Sequence, residues 1–272
     1  MIKRTVVSAD GTRLAAFEGG TPGKPAILFI HGFSQCSFCW DQQFADPGLA
    51  ENFQLAAIDL RGHGASEKPL ESGRYAHDQL FADDVHAVIT VLGLIRPVLV
   101  GWSYAGRVIS DYLNAHGTAG IAGINYVGAR TKTDARFNGP GTQLFSEMTS
   151  DDLRLDIAAT RKFLRACFVT QPPQDAFETM LAYNMLVPAK VRAAHIGRPP
   201  NDGANLARIQ VPVLVTQGAE DLLVSKGLGE WTAQTIPGAK FSPYEGIGHT
   251  PFVEDAERFN RELAEFVSGV NS

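Results

Sequence analysis

The chain has 272 residues, of which 44% are hydrophobic and 19% charged, a balance that excludes an extended disordered protein and suits one α/β domain with room for an inserted subdomain. Its 24 Lys and Arg stand against 29 Asp and Glu, for a net charge of −5, so there is no electrostatic case for nucleic acid or an anionic membrane surface as partner. No run of about 18 apolar residues marks a membrane span.

The N-terminus, Met1 to Ser8, carries two basic residues but no long apolar run after them, so it does not read as a signal peptide. Segments 5–8 and 13–17 flank the turn signal Asp10-Gly11-Thr12 and predict an opening β-hairpin. The continuously apolar segment 26–30, bounded by Pro25 and Gly32, predicts a strand buried on both faces. Cys36 and Cys39 follow in a C-x-x-C pair. A zinc site needs two further ligands at suitable spacing, and none stands out, so these thiols are expected to be small buried fillers. With Cys167 they make an odd count, which together with the missing export signal predicts reduced thiols and a cytoplasmic location.

Segment 55–59 is a second buried strand, ending at Asp59; Arg61, two residues on, predicts a structural ion pair. Apolar residues at Leu80, Phe81, Val85, Val88, Ile89 and Leu92 recur at helical spacing and predict a helix over 77–93. Segment 97–101 is a strand, 103–116 a helix, and 121–127 the next strand. Between about 131 and 207 strands give way to helical segments starting near Thr149 to Asp152, Pro172-Pro173 and Pro188, which predicts a helical cap. Segments 211–216 and 240–244 are the last strands, and Phe252, Phe259, Leu263 and Phe266 stripe a closing helix. Strands alternating with helices imply a mostly parallel central sheet with helices on both faces. Core segments 1–130 and 208–272 would carry the cap 131–207 over the C-terminal edge of the sheet, where open α/β sheets bind ligands.

The hexapeptide Gly101-Trp102-Ser103-Tyr104-Ala105-Gly106 joins a strand to a helix. Such a turn forces its serine into the open at a helix N-terminus, where an oxyanion would meet free N–H groups and the positive end of the dipole. The usual form is G-x-S-x-G; here the second glycine position is Ala105, the next smallest side chain. An activated serine needs a base, and the base an orienting carboxylate. Of seven histidines, His249 lies in the glycine-rich loop Gly246-Ile247-Gly248-His249 between the last strand and last helix. His31 and His63 are expected to orient loops, His77, His86 and His116 to be solvent-facing or structural, and His195 to sit in the cap. Asp221, just after a buried strand, is the candidate acid, with Glu220 pointing elsewhere. Backbone N–H groups of Tyr104 and Phe33 are the candidate oxyanion donors. Trp102 is expected to pack under the turn. Phe33, Tyr104, Phe137, Phe145, Met148, Phe168 and Met185 are candidates for an apolar pocket wall, and no carboxylate-binding arginine stands out.

Together His31-Gly32-Phe33, the run Asp59 to Ser66, the turn at Ser103, Gly218-Ala219-Glu220-Asp221 and Gly248-His249 resemble the α/β-hydrolase superfamily. The stretch from His31 to about Ala129 is most similar to its cofactor-free haloperoxidase, perhydrolase and arylesterase branch. Two departures are Ala105-Gly106 where that branch usually has Gly-Gly, and Phe33 where it often has tryptophan. A serine nucleophile differs from the aspartate of dehalogenases and epoxide hydrolases of this fold. The resemblance implies the triad Ser103, Asp221 and His249, no metal or organic cofactor, and a serine hydrolase acting on a small to medium apolar ester or lactone. Perhydrolysis and carbon–carbon bond hydrolysis are the other activities it implies. A ligand-binding receptor that retains the triad but turns over very slowly is the non-enzymatic reading.

Overall fold

The N-terminal hairpin pairs β1 (Ile2–Val7) antiparallel with β2 (Arg13–Gly20), and its turn is closed by Ser8 N–H on the Thr12 carbonyl at 2.9 Å and Thr12 N–H on Asp10 at 3.0 Å. The structure, a computed structural model, describes residues 1–200 and 206–271. β2 lies antiparallel to β4 (Gln54–Asp59), and from there every pairing is parallel. With β3 (Ala26–Ile30), β5 (Val98–Trp102), β6 (Gly123–Val127), β7 (Val213–Gly218) and β8 (Lys240–Tyr244), the eight strands run in the order β1-β2-β4-β3-β5-β6-β7-β8.

The central strands are buried along their whole length because both faces are covered. Alternation along β3 sends Leu28 and Ile30 into one core layer and Ile27 and Phe29 into the other. Each such apolar side chain contributes about 1.5–3 kcal/mol by leaving water. The first layer is roofed by α3 (Asp78–Val91) and α4 (Ala105–His116), through Val85, Val88, Val108 and Ile109. On the second face Trp40, at the end of a 3-10 turn just before the short helix α1 (Asp41–Ala45), and Leu49 of α2 (Pro47–Asn52) enter the core. That layer is completed from the C-terminal end of the chain described below.

Between β6 and β7 lie α5 (Leu153–Ala166), α6 (Gln174–Met185), α7 (Ala189–Ile196) and several 3-10 turns. Positions 201–205 of the expected cap, and residue 272, lie outside the described residues. The helix starts follow the sequence signals: the Asp152 carboxylate caps α5 by accepting from Arg154 N–H at 2.9 Å, and α6 and α7 start after Pro173 and Pro188. The three helices are tied by one buried cation. Arg192 of α7 pairs with Asp156 of α5 and donates to the carbonyls of Met148 at 3.1 Å and Asn184 at 2.6 Å. Removing one partner of such a buried pair typically costs about 3–5 kcal/mol. The chain closes with α8 (Lys226–Thr235), α9 (Pro251–Glu254) and α10 (Ala256–Val270), which delivers Phe259, Leu263 and Val267 to the second layer.

Three expectations need correction. The helix predicted from 103 starts at Ala105, because Ser103 takes a φ of +56° that no α-helix accommodates. The strand predicted over 211–216 runs over 213–218, since its pairing continues to Gly218 opposite Tyr244. The Asp59–Arg61 ion pair does not form. Asp59 is consumed by backbone donors, accepting from Ser37 and Ala65 N–H at 2.7 Å each. Arg61 instead makes a bidentate pair with Asp84, 2.7 Å on both arms, and reaches Asp10 at 2.9 Å.

Candidate active site

Ser103 stands at the C-terminal end of β5, on the turn into α4. Its left-handed φ of +56° costs a non-glycine residue about 1–2 kcal/mol. The tertiary structure holds it there with Ser103 N–H on the Val127 carbonyl at 2.9 Å and Arg130 N–H on the Ser103 carbonyl at 2.8 Å. The first glycine of the motif gives Ile109 its place: a Cβ at Gly101 would lie 2.4 Å from Ile109 Cδ1 and displace the end of that side chain. Ala105 is wholly buried as the first residue of α4, so the turn accommodates alanine in place of the usual second glycine.

Asp221, in the loop after β7, is held by four hydrogen bonds. Its Oδ1 accepts from Leu223 N–H at 2.8 Å and Val224 N–H at 2.9 Å; its Oδ2 accepts from Gln217 at 3.1 Å and from His249 Nδ1 at 2.6 Å. His249 is 1% and Asp221 7% exposed, so this pair works in a low-dielectric setting. With Nδ1–H donating to Asp221, Nε2 is the ring nitrogen left to accept a proton. His249 is further fixed by its own N–H on the Cys167 carbonyl at 2.8 Å and by Trp102 Nε1 on its carbonyl at 2.9 Å. Glu220 is exposed.

The loop after β3 approaches the turn closely. A Cβ on Gly32 would lie 3.1 Å from the Ser103 Cβ, so glycine lets the Phe33 backbone reach the serine. The backbone N–H groups of Phe33 and Tyr104 meet no acceptor among the described residues. Two neutral histidines brace this loop. His31 Nδ1 donates to the Gly32 carbonyl at 2.8 Å while its Nε2 accepts from Leu60 N–H at 3.0 Å. His63 Nδ1 donates to the Arg61 carbonyl at 3.0 Å and its Nε2 accepts from Ser34 N–H at 3.2 Å. Burial pushes both rings below the usual histidine range, which keeps each in the one-donor, one-acceptor state these bonds need.

A cavity of about 340 Å³ opens over Ser103, lined also by Phe33, Tyr104, Phe145, Ile196, Thr133, Asn138, Thr142, His195, Arg107 and Arg130. It lies at the small end of the roughly 300–1,000 Å³ span of small-molecule sites. Of the expected pocket residues, Phe33, Tyr104 and Phe145 line it. Phe137, Met148, Phe168 and Met185 do not. Phe137 packs on Trp231 at 6.1 Å between ring centres. Met148 is wholly buried beneath the helices, and Phe168 lines a separate small void with Trp102. The Met185 sulfur turns toward Arg192, at 3.8 Å. They are large apolar residues of the expected cap segment, a character that serves structural packing as well as a pocket.

Sequence reasoning missed Arg107 and Arg130. Both had a positional signal: Arg107 is one helical turn past Ser103, and Arg130 lies just beyond the C-terminal end of β6, the edge where ligand groups gather. Burial lowers the pKa of both guanidinium groups, against a smaller raising effect of Tyr104 on Arg107 and of Asp221 on Arg130. The Tyr104 hydroxyl accepts from Arg198 at 2.8 Å, and Arg198 is in turn paired with Asp111 at 2.7 Å and Asp78 at 2.9 Å. Trp102 is 3% exposed and packs edge-on against Phe252 beneath the turn.

Cys36 and Cys39 are buried, and burial pushes the Cys36 thiol up to about 12 and Cys39 well above the usual range, so both are poor nucleophiles. Among the described residues no three His, Cys, Asp or Glu stand where they could hold a metal ion, and no helix is long and apolar enough to cross a membrane.

Residues 27–262 match the model of the alpha/beta hydrolase family. A non-heme chloroperoxidase, CPO-A1 of Kitasatospora aureofaciens, is 30% identical over 95% of this chain and 97% of its own. A crystal structure from Burkholderia cenocepacia, assigned as an aryl esterase, superposes with a TM-score of 0.95 at 36% identity, covering 99% of each chain. The esterase RhEst1 of Rhodococcus sp. ECU1013 gives 0.92 at 35% identity, covering 99% of this chain and all of its own.

Proposed function

The chain belongs to the alpha/beta hydrolase family, and on that premise we propose that it is a serine hydrolase cleaving a small to medium carboxylic ester or lactone through an acyl-enzyme. The observation that carries this reading is the His249 Nδ1–Asp221 bond of 2.6 Å, which leaves Nε2 as the ring nitrogen that would serve Ser103 as base. In the proposed mechanism Ser103 Oγ attacks the carbonyl carbon as His249 Nε2 takes its proton. The developing oxyanion is received by the N–H groups of Phe33 and Tyr104, each such donor contributing about 2.7–4 kcal/mol to transition-state stabilisation. Collapse breaks the ester C–O bond, and the imidazolium returns the proton to the leaving alkoxide. Water then repeats the sequence on the acyl-enzyme, with His249 as base, and releases the acid.

Phe33, Phe145 and Ile196 would receive the apolar part of the substrate. We assign residues 131–207 the role of a cap over this cavity, with 1–130 and 208–272 as the catalytic core. The expected apolar wall becomes a mixed one in this reading, since Thr133, Asn138 and Thr142 share it. Similarity to a chloroperoxidase supports a second reading, in which hydrogen peroxide replaces water on the acyl-enzyme and the product is a peracid.

The test is hydrolysis of p-nitrophenyl esters from acetate to decanoate, with Ser103→Ala alongside. Multiple turnover with a chain-length optimum, lost in the variant, is the expected outcome. Turnover retained by a folded Ser103→Ala overturns the serine reading, and release of a single equivalent favours the receptor reading. Peracid formation from the free acid and peroxide separates the second reading from the first.

A further inference from the structure

Charge in the cavity over Ser103 is of one sign: its lining includes Arg107 and Arg130 but no Asp or Glu. Neither arginine forms an ion pair with a carboxylate among the described residues, in contrast to Arg61, Arg192 and Arg198, each of which has one at hand. Arg130 is held only by neutral acceptors, the Asn138 amide oxygen at 2.7 Å and the Leu223 carbonyl at 3.3 Å. Arg107 is 9% exposed; one arm meets the Pro199 carbonyl, and its buried Nε has no partner. A third polar group, His195, is wholly buried in the wall, and neither of its ring nitrogens makes a hydrogen bond of normal geometry. The carboxylates whose charge reaches them, Asp221 for Arg130 and Asp111 and Asp78 for Arg107, are bonded to His249 and Arg198, so a ligand anion would complete the pairing of two cations whose burial is otherwise unfavourable. Arginine's fork of donors suits a carboxylate, which it can bind through two parallel bonds.

We propose that the physiological substrate is an ester or lactone that also carries a free carboxylate, which pairs with the guanidinium groups of Arg107 and Arg130. This rests on the serine hydrolase reading. Both cations are tied to the nucleophile through the backbone: Arg130 N–H holds the Ser103 carbonyl at 2.8 Å, and Arg107 N–H the Tyr104 carbonyl at 3.0 Å. An anion seated on them would therefore register the scissile carbonyl against Ser103. The reaction is ordinary hydrolysis: the second carboxylate is a handle and undergoes no bond change.

The experiment compares kcat/KM for matched pairs, with the acid on the acyl side (mono-p-nitrophenyl glutarate against p-nitrophenyl valerate) and on the alcohol side (4-carboxybenzyl butyrate against benzyl butyrate). We expect the acid to be preferred at least tenfold in one pair, a preference that falls with added salt. In Arg107→Gln and Arg130→Gln the acid-to-neutral ratio should drop toward parity, and Arg130→Lys should restore part of it. If either glutamine variant fails to fold, competitive inhibition of the wild-type enzyme by glutarate, but not by 1-pentanol, reports the same site. No acid preference in either pair, or a preference that survives in both variants, overturns the inference. Ser103-dependent turnover of neutral esters without acid preference would sink this inference alone; activity independent of Ser103 would sink the reading beneath it.

Discussion

The indole N–H of Trp102 donates to the carbonyl of His249 at 2.9 Å, so the residue before the proposed nucleophile grips the backbone of the proposed base. The two lie 147 residues apart in the chain, and this one bond fixes the distance between the β5 turn and the loop after β8. Trp102→Phe keeps the ring packing on Phe252 and leaves a buried carbonyl unpaired. An unmade buried hydrogen bond of this kind costs about 1–3 kcal/mol. The expected result is a lower Tm and a fall in kcat with KM little changed, checked by thermal unfolding and steady-state kinetics. An unchanged kcat would show that the base is positioned without this contact.

Ser103→Ala should lower kcat by a factor on the order of 10⁶, as removal of a triad serine does in subtilisin. Ser103→Gly should be equally inactive but more stable than Ser103→Ala. Glycine relieves about 1–2 kcal/mol of left-handed strain and returns about 0.4–1 kcal/mol through the freer unfolded chain, a net gain. Urea midpoints of the two inactive variants measure the difference directly.

Asp221→Asn should reduce kcat by about 10⁴, because an amide NH2 facing Nδ1 donates to it and favours the wrong imidazole tautomer. One oxygen remains to accept from Leu223 and Val224, so the loop should stay folded. A neutral effect here, with a fatal one at Asp59 or Asp134, would identify a different acid.

Stability should fall steeply as pH drops below about 6.5. His31, His63 and His195 are wholly buried, and burial holds all three below the usual histidine range. In the unfolded chain they take up protons below the ordinary histidine pKa while the folded protein does not, so the unfolded state gains. Each contributes up to about 1.4 kcal/mol per pH unit, and burial raises Asp111 to about 7, so that its uptake of a proton in the folded protein offsets about one of the three. Urea unfolding between pH 7 and 5 gives the slope. A flat profile would mean that the buried rings accept protons in the folded state.

Gly32→Ala should cost about tenfold or more in kcat with a smaller effect on KM. The new methyl would stand 3.1 Å from the Ser103 Cβ and 3.3 Å from the Trp102 ring, so the Phe33 N–H must move back from the oxyanion position. Transition-state stabilisation suffers more than ground-state binding when a donor is displaced.

The strands and the proposed triad were legible in the sequence because their signals are local. An unbroken apolar run such as Ala26 to Ile30 can only be a doubly covered strand or a buried helix segment, and Pro25 and Gly32 limit it to strand length. A serine between small residues at a strand-to-helix junction, an acid just after a strand and a histidine in a glycine loop are likewise marked by their neighbours. The tertiary structure decided what depends on partners far along the chain. Asp59 binds the Ser37 and Ala65 N–H groups, and Arg61 binds Asp10 and Asp84, because a carboxylate chooses the donors that the fold brings to it, and adjacency in sequence counts for little. Apolar character could mark Met148 and Phe168 for burial, yet only the packing of the inserted helices could direct them to structural sites and leave the cavity to Phe33 and Phe145. The positive charge over Ser103 is of the same kind: two arginines 23 residues apart meet at one cavity because α4 and the end of β6 converge there, and no local pattern records that convergence.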